Sequence, residues 1–336
     1  MKKKGIGIAC NCHPTGLKGG GDPSQAQIRL KPDGTADLLV GAVDIGQGSK
    51  TVLRQIAAEV LDVPLENITL SNFDTDMGPL CTGTFASRVT FMDGNAVIAA
   101  AEDLKQQIRE WAAEQFEARP EDLVVADNKV YVKDDPERAS MAMAEVGAGM
   151  NWGGKYPVAK GAYFPGPAPE FDSETGEMPN IAAIAYGACV VEVEVDTETG
   201  VVDVKKLTQA YEIGRVINPL LVQGQIDGGT MHALGFALSE DVAPYYPSRD
   251  FEPANFTDYI IMTAADVPEM VSTTVEVPQP DGPYGAKGFS EMTASTAVSA
   301  IISAIHDATG VWIYDYPATP EKVLRALEAK ETEQES

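Results

Sequence analysis

Apolar residues recur along the chain with two periods, one of two residues and one of three to four, and the switches between them outline most of the secondary structure. Alternation over residues 26–30 and 36–40 predicts two strands. The intervening Lys31-Pro32-Asp33-Gly34-Thr35 predicts a tight turn that makes them antiparallel. Val52, Leu53, Ile56, Ala57, Val60 and Leu61 fall at helical spacing and predict a helix over 50–61, with Ser49 as N-cap and Pro64 just past its end. Residues 68–70 read as a strand, and 93–116 as a long helix burying Val97, Ile98, Leu104, Ile108 and Trp111. A short strand pair follows at 123–125 and 130–132. Between 147 and 180 Gly and Pro are frequent and periodicity fades, which predicts a long irregular crossing. Alternation resumes over 188–196, turns at Thr199-Gly200 and pairs back over 201–207. Two further helices are expected, over 222–238 despite four glycines, and over 293–309, where Ala and Ser imply close burial.

Strand pairs followed by packed helices, twice over, predict an α+β fold with two lobes of antiparallel and mixed sheet rather than alternating parallel units. The expected division is 1–150 for the first lobe, 151–180 for the crossing and 181–330 for the second lobe. A frayed polar tail is expected over 331–336.

Charge narrows the functional classes. Lys and Arg number 25 against 50 Asp and Glu, a net charge of −25. That balance repels phosphate backbones and anionic lipid, so nucleic-acid and membrane-surface roles are excluded as expectations. No apolar run reaches the roughly 18 residues that a membrane span requires. Lys2-Lys3-Lys4 is followed only by the short Gly5-Ile6-Gly7-Ile8-Ala9, too little for a secretory signal, so a cytoplasmic location is expected. Cys10, Cys12, Cys81 and Cys189 form neither a disulfide framework nor an iron–sulfur pattern. Cys10-x-Cys12-His13 lacks a second ligand pair, so no metal held directly by side chains is expected.

Three glycine-containing segments could carry chemistry. Gly46-Gln47-Gly48-Ser49 leads into a helix and suits either a simple cap or an anionic oxygen at the helix N-terminus. Gly83-Thr84-Phe85-Ala86-Ser87-Arg88 precedes the long helix and is either its capped start or a loop that a ligand approaches closely. Gly282-Pro283-Tyr284-Gly285-Ala286-Lys287-Gly288-Phe289-Ser290-Glu291 puts a carboxylate at the mouth of the last buried helix, as an electrostatic cap or as a general base.

Five stretches, in order and at similar spacing, resemble the C-terminal half of the molybdopterin-binding subunit of the xanthine dehydrogenase/aldehyde oxidase family. They are Asp44-Ile45-Gly46-Gln47-Gly48; Gly83 to Arg88 with Asp93-Gly94-Asn95-Ala96-Val97; Ile213-Gly214-Arg215-Val216-Ile217-Asn218-Pro219; Gly224-Gln225-Ile226-Asp227-Gly228-Gly229; and Gly285-Ala286-Lys287-Gly288 with Glu291. The resemblance covers nearly the whole chain. It implies a molybdenum cofactor-binding type of fold, with Gly46, Gln47, Gly48, Phe85, Ala86, Ser87, Arg88, Lys287 and Gly288 around the cofactor and the molybdenum held by the pterin. Glu291 matches the family's catalytic glutamate, the base for hydroxylating an electron-poor carbon with water-derived oxygen. Arg88 stands between neutralising an anion and a structural ion pair, and His13, His232 and His306 receive no role.

Two departures stand out: Ser290-Glu291-Met292 replaces the usual Gly-Glu-Pro, and Glu212 stands where Asp is commoner. The family's N-terminal half finds no match, which implies a molybdopterin subunit divided between chains, as in nicotinate dehydrogenase, whose medium molybdopterin subunit it resembles. The implied partners are a large molybdopterin subunit, an iron–sulfur subunit with [2Fe-2S] and a subunit with FAD. The implied substrate is a small heteroaromatic, nicotinate first, with a purine, an aldehyde or carbon monoxide, or a non-catalytic cofactor-holding role, as alternatives. The nucleotide form of the pterin, cytosine dinucleotide among the choices, and a sulfido or selenido ligand stay open.

Overall fold

A computed structural model describes residues 1–19, 21–71, 74–167, 169–177, 180–241, 255–257 and 259–335. The fold is α+β.

The predicted turn folds β2 (Ser24–Leu30) back on β3 (Ala36–Val40), with Leu30 opposite Ala36. β4 (Ile68–Ser71) lies parallel to β3, and β8 (Val158–Tyr163) antiparallel to β2 on its other side, giving the order β4-β3-β2-β8. Ile28, Leu30, Leu38 and Val40 of this sheet are buried with Val52, Leu53 and Ile56 of α1 (Ser49–Leu61) and Val97, Leu104 and Ile108 of α2 (Val89–Phe116). A three-stranded antiparallel sheet, β5 (Leu123–Ala126), β6 (Lys129–Val132) and β7 (Ser140–Ala142), extends the same core and leads into α3 (Met143–Trp152).

The second sheet has the order β1-β9-β10-β11, from β1 (Lys2–Leu17), β9 (Ile181–Asp196), β10 (Val202–Glu212) and β11 (Glu269–Val275). Its strands are antiparallel except for the last pair. α4 (Pro219–Leu238), α5 (Ser290–Thr309) and α6 (Pro320–Glu335) pack on it, around Val191, Val193, Leu234, Ile301 and Ile305. β1 and α5 touch backbone to backbone. A Cβ on Gly5 or Gly7 would run into the carbonyl oxygens of Ala304 and Ala300, so glycine is what permits this approach.

Several expectations need correcting. The first helix is capped by Gly48 in the left-handed conformation, and Ser49 is its first residue rather than its N-cap. α2 starts at Val89, four residues before the expected 93. The expected irregular crossing contains the end of α3 and all of β8, which completes the first sheet; residues 168, 178 and 179 of it lie outside the described residues. Residues 2–17, to which the pattern of apolar positions assigns no element, form the longest strand pairing of the second sheet. The tail continues α6 to Glu335 instead of fraying after Lys330; residue 336 lies outside the described residues.

Candidate cofactor and active site

One cavity of about 190 Å³ opens where the first turn of α1, the start of α2, the start of α4 and the loop before α5 meet. Gln47, Phe85, Ser87, Arg88, Lys287, Gly288 and Glu291 all contribute to its wall. Gln47 and Glu291, 244 positions apart in sequence (291 − 47), thus share one cavity. Gly46, Gly48 and Ala86 shape the loops behind that wall: their φ values of 108°, 88° and 46° are left-handed, as is the 53° of Ser87. Two consecutive non-glycine residues in that region store strain that the surrounding contacts must hold in place.

The Gln47 loop is braced from inside. Asp44 accepts hydrogen bonds from the backbone N–H groups of Gly46 (2.9 Å), Gly48 (3.3 Å) and Lys50 (2.9 Å). Burial pushes the Asp44 carboxyl up, but these N–H groups outweigh it and hold it below its ordinary value. Those N–H groups, which the sequence leaves between a simple cap and an anion site, serve the chain's own carboxylate. The Gln47 side chain closes the loop further, accepting from Ile45 N–H at 2.7 Å and donating to Val43 O at 3.2 Å. Thr84 ties this loop to the next, donating to Val43 O (2.7 Å) and accepting from Val43 N–H (3.1 Å).

Two charged residues expected at the cofactor line the cavity but have their charges engaged within the fold. Every guanidinium nitrogen of fully buried Arg88 is engaged: Nε with Asp22, Nη1 with Asp93, Cys81 Sγ and Gly83 O, and Nη2 with Ser24 Oγ and Pro23 O. Burial pushes the Asp93 carboxyl up to about 6, although Arg88 pulls the other way. The Lys287 ammonium donates to Glu212 Oε2 at 2.6 Å and to Ile184 O at 2.9 Å. Glu212 also accepts from Gly214 N–H at 2.8 Å, so its extra methylene relative to Asp reaches both partners.

Glu291 is placed differently. It is the second residue of α5, and its side chain is 56% exposed. Ser87 holds it twice: Ser87 Oγ accepts from Glu291 N–H at 3.0 Å and donates to Glu291 Oε2 at 3.2 Å. Gly288 lets this corner close, because a Cβ there would run into the Ser87 carbonyl oxygen. The inward face of β1 supports the same turn. Asn11 Nδ2 donates to Ser295 Oγ (2.7 Å) and Met292 O (3.3 Å), Thr15 Oγ1 donates to Gly288 O (3.4 Å), and His13 Nε2 lies 3.6 Å from Glu291 Oε2.

Sequence reasoning missed Ser49, Arg215, Asn218 and Gln225, which also line the cavity. The last three lie inside segments that carried the resemblance. Ser49 Oγ is buried with no hydrogen-bond partner among the described residues. Buried hydroxyls are nearly always paired, so a polar ligand is the partner this one fits.

Residues 1–268 match the family model of the molybdopterin cofactor-binding domain. The chain belongs to that family, among the molybdenum-binding subunits of xanthine dehydrogenase and aldehyde oxidase type. It is 29% identical to the putative xanthine dehydrogenase molybdenum-binding subunit of Escherichia coli (strain K12), covering 96% of this chain and 42% of the relative. It is 32% identical to the 6-hydroxypseudooxynicotine dehydrogenase complex subunit gamma of Paenarthrobacter nicotinovorans, covering 96% and 39%. Quinoline 2-oxidoreductase from Pseudomonas putida 86 superposes with a TM-score of 0.82 at 28% identity, over 97% of this chain and 42% of that one. The chain thus spans about two-fifths of the length of these relatives.

Proposed function

We propose that this chain is the cofactor-holding, base-bearing part of a multi-subunit molybdenum hydroxylase, with Glu291 as the general base. The observation that carries the reading is Glu291 itself: a carboxylate on the wall of the cavity, held by Ser87 and exposed toward it, while the charges of Arg88 and Lys287 are closed on carboxylate partners. When bound, the molybdenum cofactor supplies the redox chemistry that hydroxylates an electron-poor carbon with oxygen from water. Ser49, Gln47 and the backbone around Ser87 and Gly288 hold it, and Ser49 Oγ gains the partner it lacks. Arg215, exposed in the same wall, adds positive charge for an anionic group. Glu291 accepts the proton released as the water-derived oxygen is transferred, and Ser87 fixes its carboxylate by holding Oε2.

The preferred substrate is an N-heterocycle, with nicotinate first. Relatives named for nicotine, 6-hydroxypseudooxynicotine and quinoline support that class. Others named for xanthine, aldehydes and carbon monoxide keep a purine, an aldehyde or carbon monoxide as alternatives. A large molybdopterin subunit, an iron–sulfur subunit with [2Fe-2S] and an FAD subunit complete the enzyme in this reading. A relative described as one subunit of a complex supports a multi-subunit assembly. The test is to purify the native assembly through a tag on this chain, measure molybdenum and iron, weigh the co-purifying chains and screen substrates from nicotinate outward. Near-stoichiometric molybdenum with a larger chain supports the reading; a lone chain without molybdenum overturns it.

A further inference from the structure

We infer that His13 is a positioning residue for Glu291, holding carboxylate oxygen Oε2 so that the other oxygen is left for the reacting proton; this rests on the reading of Glu291 as the base. His13 is 278 residues away in sequence (291 − 13) and belongs to no segment that marks the family resemblance. β1 brings it to the site through a continuous row of contacts. Gly5 and Gly7 lie on the backbone of α5, Asn11 holds its first turn, and Thr15 holds the loop before it. His13 lies between Asn11 and Thr15 on this face, with its backbone opposite Ala185 of β9.

Its Nε2 atom is buried and makes no hydrogen bond among the described residues. An unpaired buried nitrogen costs free energy, so a partner within reach is favoured strongly. Glu291 Oε2, at 3.6 Å, is the ion-pair partner within reach. That distance is just too long for a hydrogen bond, and catalytic hydrogen bonds are commonly loose before ligand binds and tighten in the complex. A shift of a few tenths of an ångström closes the contact.

The neighbouring charges leave this pairing open. Lys287 and Glu212 are closed on each other, and Arg88 with Asp22 and Asp93 forms a separate buried cluster beneath Ser87. Ser87 already holds Glu291 Oε2 from one side. His13 supplies a second hold from the β1 side, which fixes the carboxylate plane and leaves its other oxygen for the reacting proton. Positioning of this kind is worth up to about a hundredfold in rate.

The experiment has a spectroscopic arm and a kinetic arm. In the full chain, selectively 15N-labelled histidine gives signals from His13, His232 and His306, the three histidines of the sequence. At fixed pH, Glu291→Gln should move the His13 ring signal and leave the other two in place. In the assembled enzyme, with nicotinate or the substrate that replaces it in the screen, His13→Leu should lower kcat about tenfold or more at nearly unchanged KM. His13→Gln, whose amide nitrogen stands in for Nε2, should restore most of that rate. An unmoved His13 signal, or an unaltered kcat in His13→Leu, overturns the inference while the Glu291 reading stands. Full turnover by Glu291→Gln overturns both.

Discussion

Arg88 and Glu291 lie on either side of Ser87, and the chain treats their charges in opposite ways. Arg88 is fully buried, with every guanidinium nitrogen engaged by Asp22, Asp93, Cys81, Ser24 or a carbonyl. Glu291 is half exposed, held by one serine and approached by one histidine. A charge whose hydrogen-bonding capacity is filled supports the loops and has little left for chemistry. A charge held by few contacts and facing a cavity can exchange a proton. The resemblance named both residues, and only their partners tell which one is structural.

The comparison breaks most visibly at Arg88. Arg88→Met leaves Asp22 and Asp93 facing each other in the interior and should cost about 3–5 kcal/mol, read by denaturant unfolding. A loss near zero would mean that the cluster is not what orders the loop. Gly288→Ala comes next. Its Cβ meets the Ser87 carbonyl oxygen, and the backbone displacement should cost about 1–3 kcal/mol while loosening Ser87 from Glu291.

Asp93 sharpens the comparison through pH. Its carboxyl, pushed up to about 6 by burial, holds a proton in the folded state more readily than in the unfolded chain. Its contribution to stability is therefore full below the ordinary carboxylate value of about 4 and is lost as pH rises through about 6. Asp93→Asn should gain stability relative to the parent protein across that window, as seen in unfolding midpoints at pH 4 to 7, values of about the range that the two pKa values span. A difference independent of pH would contradict the assignment. The smallest effect on the fold is expected at Ser49. Ser49→Ala removes a hydroxyl that has no partner among the described residues, so stability should change by less than about 0.5 kcal/mol while molybdenum content falls.

Much of the fold was legible because its elements bury apolar stripes. β2, β3, α1 and most of α2 follow their hydrophobic periods closely. β1 was illegible for a physical reason. Its inward face carries Gly5, Gly7, Ala9, Asn11, His13 and Thr15, small or polar residues that fit against the α5 backbone, while Ile6 and Ile8 point outward and are exposed. Pattern reading expects the reverse. β8 was hidden by Gly161, whose missing side chain lets the strand approach the α2 backbone at Ala96 and Ala100. At the site, residues inside ordered motifs were found, but their partners were not. Asp44 filling the Gln47 loop, Glu212 closing on Lys287 and His13 reaching Glu291 depend on placement that spacing does not encode.

The central claim is that Glu291 serves the reaction while the neighbouring charges of Arg88 and Lys287 serve the fold. The most direct measurement is turnover together with molybdenum content in the assembled enzyme carrying Glu291→Gln. Loss of turnover by about a hundredfold or more, with molybdenum content and unfolding midpoint unchanged, is the predicted result. Turnover equal to the parent enzyme at equal molybdenum content would contradict it.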